Sequence, residues 1–171
     1  MIGGWRAGLV IGLLLILADS ACAKNHGYET HILVDTFRYQ ASDLDVPIDE
    51  LIQACPDRDC IPSIDNPKYL PVAEVEFMRR GDLLLSVEHN GVARAYPLHF
   101  LDRHEIVNTQ FGDVPIAVTY CPLCGSGLAF IRMHDGASLS FAVSGLLRNS
   151  DLVMYDRNTQ SLWQQISGVA I

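Results

Sequence analysis

The chain has 171 residues, of which 49% are apolar and 19% charged, with a formal net charge of -8. That length suits one domain able to bury a core of its own. The acidic balance, without any cluster of Lys and Arg, excludes nucleic acid and anionic membrane surfaces as partners.

The first segment, MIGGWRAGLVIGLLLILADSACAKN, has one early cation, Arg6, then an apolar run from Leu9 to Ala18, then small residues. The run is short for a membrane span, and Ala-Cys-Ala offers a cleavage site after Ala23, so residues 1–23 read as a signal peptide. The mature chain is then exported, to a bacterial periplasm, with no stable membrane span. The alternative is a lipoprotein anchored through Cys22, against which stands Asp19, three residues ahead of it. Cleavage leaves four cysteines, Cys55, Cys60, Cys121 and Cys124.

Residues 24–56 form an N-terminal extension with one strand expected at His31 to Asp35, and 57–171 form a single domain. CPDRDCIPSIDNPKYLP places four prolines in a short span, which reads as an ordered loop over the surface. Export and the short spacing favour a local disulfide between Cys55 and Cys60. VAEVEFMRRG has helical spacing with Gly81 as its stop, so a short helix is expected there.

Beyond Gly81 the pattern turns to β. DLLLSVEHNGVARAYPL predicts a hairpin turning at Asn90-Gly91. HFLDRHEIVN allows one irregular helical turn, and VPIAVTY is a strand, Val114 to Tyr120, running into Cys121. GLAFIRMHDGASLSFAVSG predicts a second hairpin at Asp135-Gly136, and DLVMYD and SLWQQI add two strands. The fold class is therefore mainly β, a barrel- or sandwich-like meander of short antiparallel strands with one or two short helices. The apolar end SGVAI, directly after a strand, carries the expectation that the domain continues past Ile171.

The chemistry concentrates at TYCPLCGSG. Cys121 and Cys124 have the spacing of a metal knuckle, of a redox dithiol, and of a structural bridge. A thioredoxin-like dithiol opens a helix that activates its first cysteine, whereas here strands flank the pair, so the metal reading leads. His104 is the best further ligand, with Glu105 beside it as supporting partner or base. It reaches the pair if HEIVN folds back through QFGD as an antiparallel neighbour of the cysteine strand. Met154 reads first as core filling; as a ligand it would complete the soft set that suits copper, whereas Cys and His alone suit zinc, and export with a Met154 ligand puts copper slightly ahead of structural zinc. No nucleotide or organic cofactor is suggested. The competing functions are a periplasmic thiol-disulfide oxidoreductase and a binding module whose cysteines only brace the fold. VSGLLRNSDLVMYDR reads as a loop pinned by its own Asn, Ser and Asp side chains, and Trp163 as a pocket cover or a cap on the core.

ARAYPL, HEIVN, VPIAVTYCPLCGSGLAF, VSGLLRNSDLVMYDR and SLWQQ, in this order, resemble the bacterial family catalogued as domain of unknown function 3179, from about Asp57 to the last residue. Its members are largely exported or lipid-anchored, with no settled activity. The resemblance implies that His104, Glu105, Asn108, Cys121, Cys124, Asn149, Ser150, Asp151, Asp156 and Trp163 occupy motif positions. Where the family shows glycine before IPSID this chain has Cys60, so the Cys55/Cys60 pair looks like a local addition.

Overall fold

The structure, a computed structural model, describes residues 44–171. The expected signal peptide, Cys22 and the strand expected at His31 to Asp35 lie outside the described residues. Among the described residues thirteen strands follow one another: β1 (Leu51–Gln53), β2 (Ile64–Asp65), β3 (Leu84–His89), β4 (Val92–Pro97), β5 (Ile106–Phe111), β6 (Val114–Cys121) and β7 (Ser126–Ile131). Then come β8 (Met133–His134), β9 (Ala137–Ser138), β10 (Phe141–Arg148), β11 (Asp151–Asp156), β12 (Leu162–Gln164) and β13 (Val169–Ala170). One helix, α1 (Leu98–His104), separates β4 from β5.

Two larger sheets carry the molecule, one ordered β1-β10-β11-β12-β13 and the other β2-β5-β6-β7. Side chains alternate along each strand, and both faces of the central strands are covered. Ile106, Ala117 and Cys121 from one sheet meet Phe141, Val143, Leu152 and Met154 from the other in a shared core. The opposite face of the second sheet packs Val107, Ile116 and Val118 against Tyr96 of β4 and Leu101 of α1. The opposite face of the first buries Ala142, Val153, Tyr155 and Leu162 with Leu51. Burial on both sides explains why DLVMYD is a near-continuous apolar run.

The architecture is the mainly β, sandwich-like one that the sequence predicts. β3 and β4 pair through Asn90 and Gly91, both at positive φ. β5 folds back on β6 through Gly112 and Asp113, with Phe111 opposite Val114, and β6 lies inside its sheet. The turn at Asp135-Gly136 exists, but it joins only the two-residue strands β8 and β9; β7 pairs with β6, and β10 crosses to the other sheet. Among the described strands β2 departs from the antiparallel meander, pairing parallel to β5 over two residues.

The helix expected over VAEVEFMRRG is not formed. A single 3-10 turn covers Val72–Glu74. The reason is the lack of a surface to pack on: Val72 is 91% exposed and Phe77 half-exposed, and a short helix without a buried face is marginal in water. HFLDRH, by contrast, is a regular helix because Leu101 is buried.

Cys55 and Cys60 are joined by a disulfide, as expected. Its loop is laid on a bulge in β10, where the register to β11 shifts between Val143 and Leu146. Ala54 and Cys55 donate their N–H groups to the Gly145 carbonyl, and Asp59 N–H to that of Val143. Gly145 has φ +83, and a Cβ there would stand 3.1 Å from the Asp57 carbonyl oxygen, so both conformation and space demand glycine.

Candidate functional site

The two cysteines lie where β6 hands over to β7. Cys121 ends β6 directly opposite Ser126, leaving residues 122–125 as the hairpin loop, with Gly125 at φ +64. Cys121 is therefore fixed by the sheet and 1% exposed, whereas Cys124 sits in the loop and is exposed. Both thiols are free.

The facing sheet supplies the third group. β10 and β11 join through Asn149 and Ser150, both at positive φ, a two-residue turn of the type that twists with its strands. That turn sets Asp151 at the first position of β11, 5% exposed. One ligand atom each from Cys121, Cys124 and Asp151 all lie within 4.8 Å of one another. Cys124 Sγ is 3.6 Å from Asp151 Oδ1, and Asp151 Oδ2 accepts the Ile166 N–H at 2.9 Å. Cys121 Sγ lies 3.6 Å from the Ser150 carbonyl oxygen. Burial, and then the neighbouring Cys124, push the Cys121 thiol up to about 11.

A polar chain backs the group. Cys124 Sγ is 3.0 Å from Ser126 Oγ, which donates to Gln165 Oε1 at 2.9 Å. Gln165 is fully buried, and its Nε2 donates to Thr119 Oγ1 at 3.1 Å and to the Ser126 carbonyl at 3.3 Å. Such a chain fixes the loop carrying Cys124 and leaves the buried amide satisfied.

His104 is not among these groups. Glu105 O accepts the Tyr120 N–H, which does place HEIVN beside the end of β6 as the antiparallel reading required. At Glu105, however, the backbone turns to φ 56, and His104 belongs to the last turn of α1 with its Nδ1 2.7 Å from the Pro62 carbonyl oxygen. Glu105 itself caps the helix with its N–H on the Leu101 carbonyl, and burial raises its carboxyl to about 7. Met154 is core, 2% exposed in the same apolar cluster as Cys121.

The remaining motif residues hold the frame. Asn108 donates to Asp65 and to the Phe141 carbonyl, and accepts the Phe141 N–H, so one side chain stitches the two sheets. Asp156 accepts the N–H groups of Asn158 and Thr159 and the indole N–H of Trp163. Trp163 packs edge-on against Phe141 at 5.6 Å and borders a cavity of about 160 Å³ with His134 and Met154. Ser144 donates to the Val153 carbonyl and accepts the Leu146 N–H, which closes the bulge.

Asp151 stands in the motif list, yet its part beside the cysteines was not legible, because only sheet packing brings β11 to the β6–β7 loop. Gln165 and Ser126 were not legible either; the Gln164-Gln165 pair between the apolar Trp163 and Ile166 is the signal that could have marked the former.

The family model described as "Protein of unknown function (DUF3179)" matches residues 58–171, which include every group of this site. Comparisons with curated proteins and with solved structures give no match.

Proposed function

We propose, for a chain that belongs to the DUF3179 family of proteins of unknown function, that Cys121, Cys124 and Asp151 bind a soft divalent cation, zinc ahead of copper. The observation that carries this reading is the convergence of two thiols and a carboxylate within 4.8 Å at the ends of two facing hairpins. Two ligands of one tetrahedral zinc, ~2.3 Å from sulfur and ~2.0 Å from oxygen, stand roughly 3.5 Å apart. The separation of Cys124 Sγ from Asp151 Oδ1, 3.6 Å, suits that arrangement. A carboxylate in place of methionine favours zinc over Cu(I), since hard oxygen adds little to a cuprous site. The pair sits in a β hairpin loop, so no helix N-terminus activates either thiol for exchange.

The reading includes export. The leader at residues 1–23 and the Cys55–Cys60 disulfide support an oxidising compartment. A mature N-terminus at Lys24, found by sequencing the secreted protein, checks this; an intact leader on the mature chain would count against it.

The test is elemental analysis of the full chain after loading with zinc or copper and removal of excess. We expect about one metal per chain, lost in the C121S/C124S variant and retained in H104A, with D151N binding about tenfold more weakly. Reduced thiols without bound metal after loading would overturn the reading and favour the redox or purely structural role. Because metal displaces the thiol protons, affinity should fall as pH is lowered.

A further inference from the structure

We propose a second site, for a small oxyanion, in the polar cavity between the loop following β2, the β3–β4 ribbon and the outer ends of β5 and β7. The cavity measures about 410 Å³ and is lined by Asn66, Pro67, Tyr69, Arg94, Asn108, Thr109, Gln110 and Arg132. That volume suits a small ligand. Its lining holds two guanidinium groups and no carboxylate, in a chain of net charge -8.

Among the described residues the ion pairs involve Arg148 and Arg157, and not Arg94 or Arg132. Asp65 acts on Arg132 only at a distance, and its oxygens accept from Asn108 Nδ2 and Arg157 Nη1. Arg94 is held flat, its Cζ 4.1 Å from the Tyr69 ring centre and 4.4 Å from that of Phe111. It spends Nη1 on Thr109 Oγ1 and the Gln110 carbonyl, which leaves Nη2 and Nε as donors. Arg132 places Nη1 on Ser138 and the Leu139 carbonyl and Nη2 on that of Thr109. Its Nε is buried without a partner.

An oxyanion in the cavity would meet the positive potential of both guanidinium groups. The planar fork suits carboxylate or phosphate oxygens equally, and the Tyr69 hydroxyl, bridging Tyr96 and Thr109, adds a polar wall. Thr109 pairs with Ile116, five residues along β6 from Cys121, roughly 16 Å at ~3.3 Å per residue. The site is thus separate from the cysteine group and does not depend on the metal reading.

Isothermal titration of the full chain with succinate, with inorganic phosphate, and with chloride as control tests the proposal and separates the two ligand chemistries. We expect saturable binding of succinate or phosphate, weakening as salt is raised, and about tenfold or more weaker binding in R94Q and R132Q. R94K and R132K, which keep the charge but not the fork, should also bind more weakly, and they serve where a glutamine variant does not fold. C121S/C124S should bind the anion as the unmodified chain does. Absence of saturable binding by both anions, or binding indifferent to the arginine substitutions in folded variants, would overturn it.

Discussion

Glu105 shows how much one residue is asked to do. Its N–H closes α1, its carbonyl opens the pairing of β5 with β6, and its φ of 56 joins the two elements. The conformation is costly for a residue with a Cβ, and the packing of α1 on the sheet to which β5 belongs pins it. The side chain is dragged into partial burial as a consequence, and desolvation raises its pKa from 4.5 to about 7. The unfolded chain loses this proton near the lower value and the folded chain near the higher. Between them the folded state binds more protons, so stability falls as pH rises and levels off above about 7. Urea unfolding from pH 4.5 to 8 should show this slope in the unmodified protein and lose it in E105Q. Equal slopes in both would remove Glu105 as its source. Gly145 is the other residue with no substitute: G145A should destabilise by about 1–3 kcal/mol in the same measurement, from the left-handed φ and the approach of the Asp57 carbonyl.

At the level of elements, two hairpins determine the site. The four-residue loop of β6–β7 presents Cys124, and the two-residue turn of β10–β11 presents Asp151. The second is built on Asn149 and Ser150, both left-handed, and serine is the less suited of the two to that region. S150G should therefore raise stability by about 0.5–1 kcal/mol in thermal or urea unfolding while leaving metal binding unchanged, since Ser150 meets Cys121 only through its carbonyl. A loss of stability would mean that the serine side chain contributes more than its backbone. The disulfide loop is a third element with a local job, clamping the bulge of β10 from outside. Opening a loop this short, in C55S/C60S, should cost about 2 kcal/mol on a chain-entropy estimate, without loss of the cysteine site on the other side of the sheet.

The whole molecule is two sheets sharing a core, and several polar groups cross between them. Asn108 does so with its entire amide, to both backbone groups of Phe141 and to Asp65. N108A would leave the Phe141 N–H and carbonyl buried without partners and should cost about 2–4 kcal/mol. Phe141 pairs with Asp156, at the end of β11 away from Asp151, so the variant should leave metal binding largely unchanged. A folded N108A of unchanged stability would show that solvent or backbone shifts replace the amide. Among the described residues no helix is long and apolar enough to cross a membrane.

The sequence determined the local features by itself. Alternation and Asn-Gly, Gly-Asp and Asp-Gly pairs specify hairpins because turn residues that accept positive φ are few, and two cysteines five residues apart can close only a small loop. The pairing of HEIVN with the cysteine strand was legible for the same reason, being a contact across one tight turn. VAEVEFMRRG misled because helical spacing has force only where a surface waits to bury the apolar side. What brings Asp151, Ser126 and Gln165 around Cys121 and Cys124, turns His104 toward Pro62, and leaves Arg94 and Arg132 facing one cavity is the stacking of two sheets. Those contacts join residues up to about fifty positions apart, and no local pattern encodes them; packing of the shared core decides them.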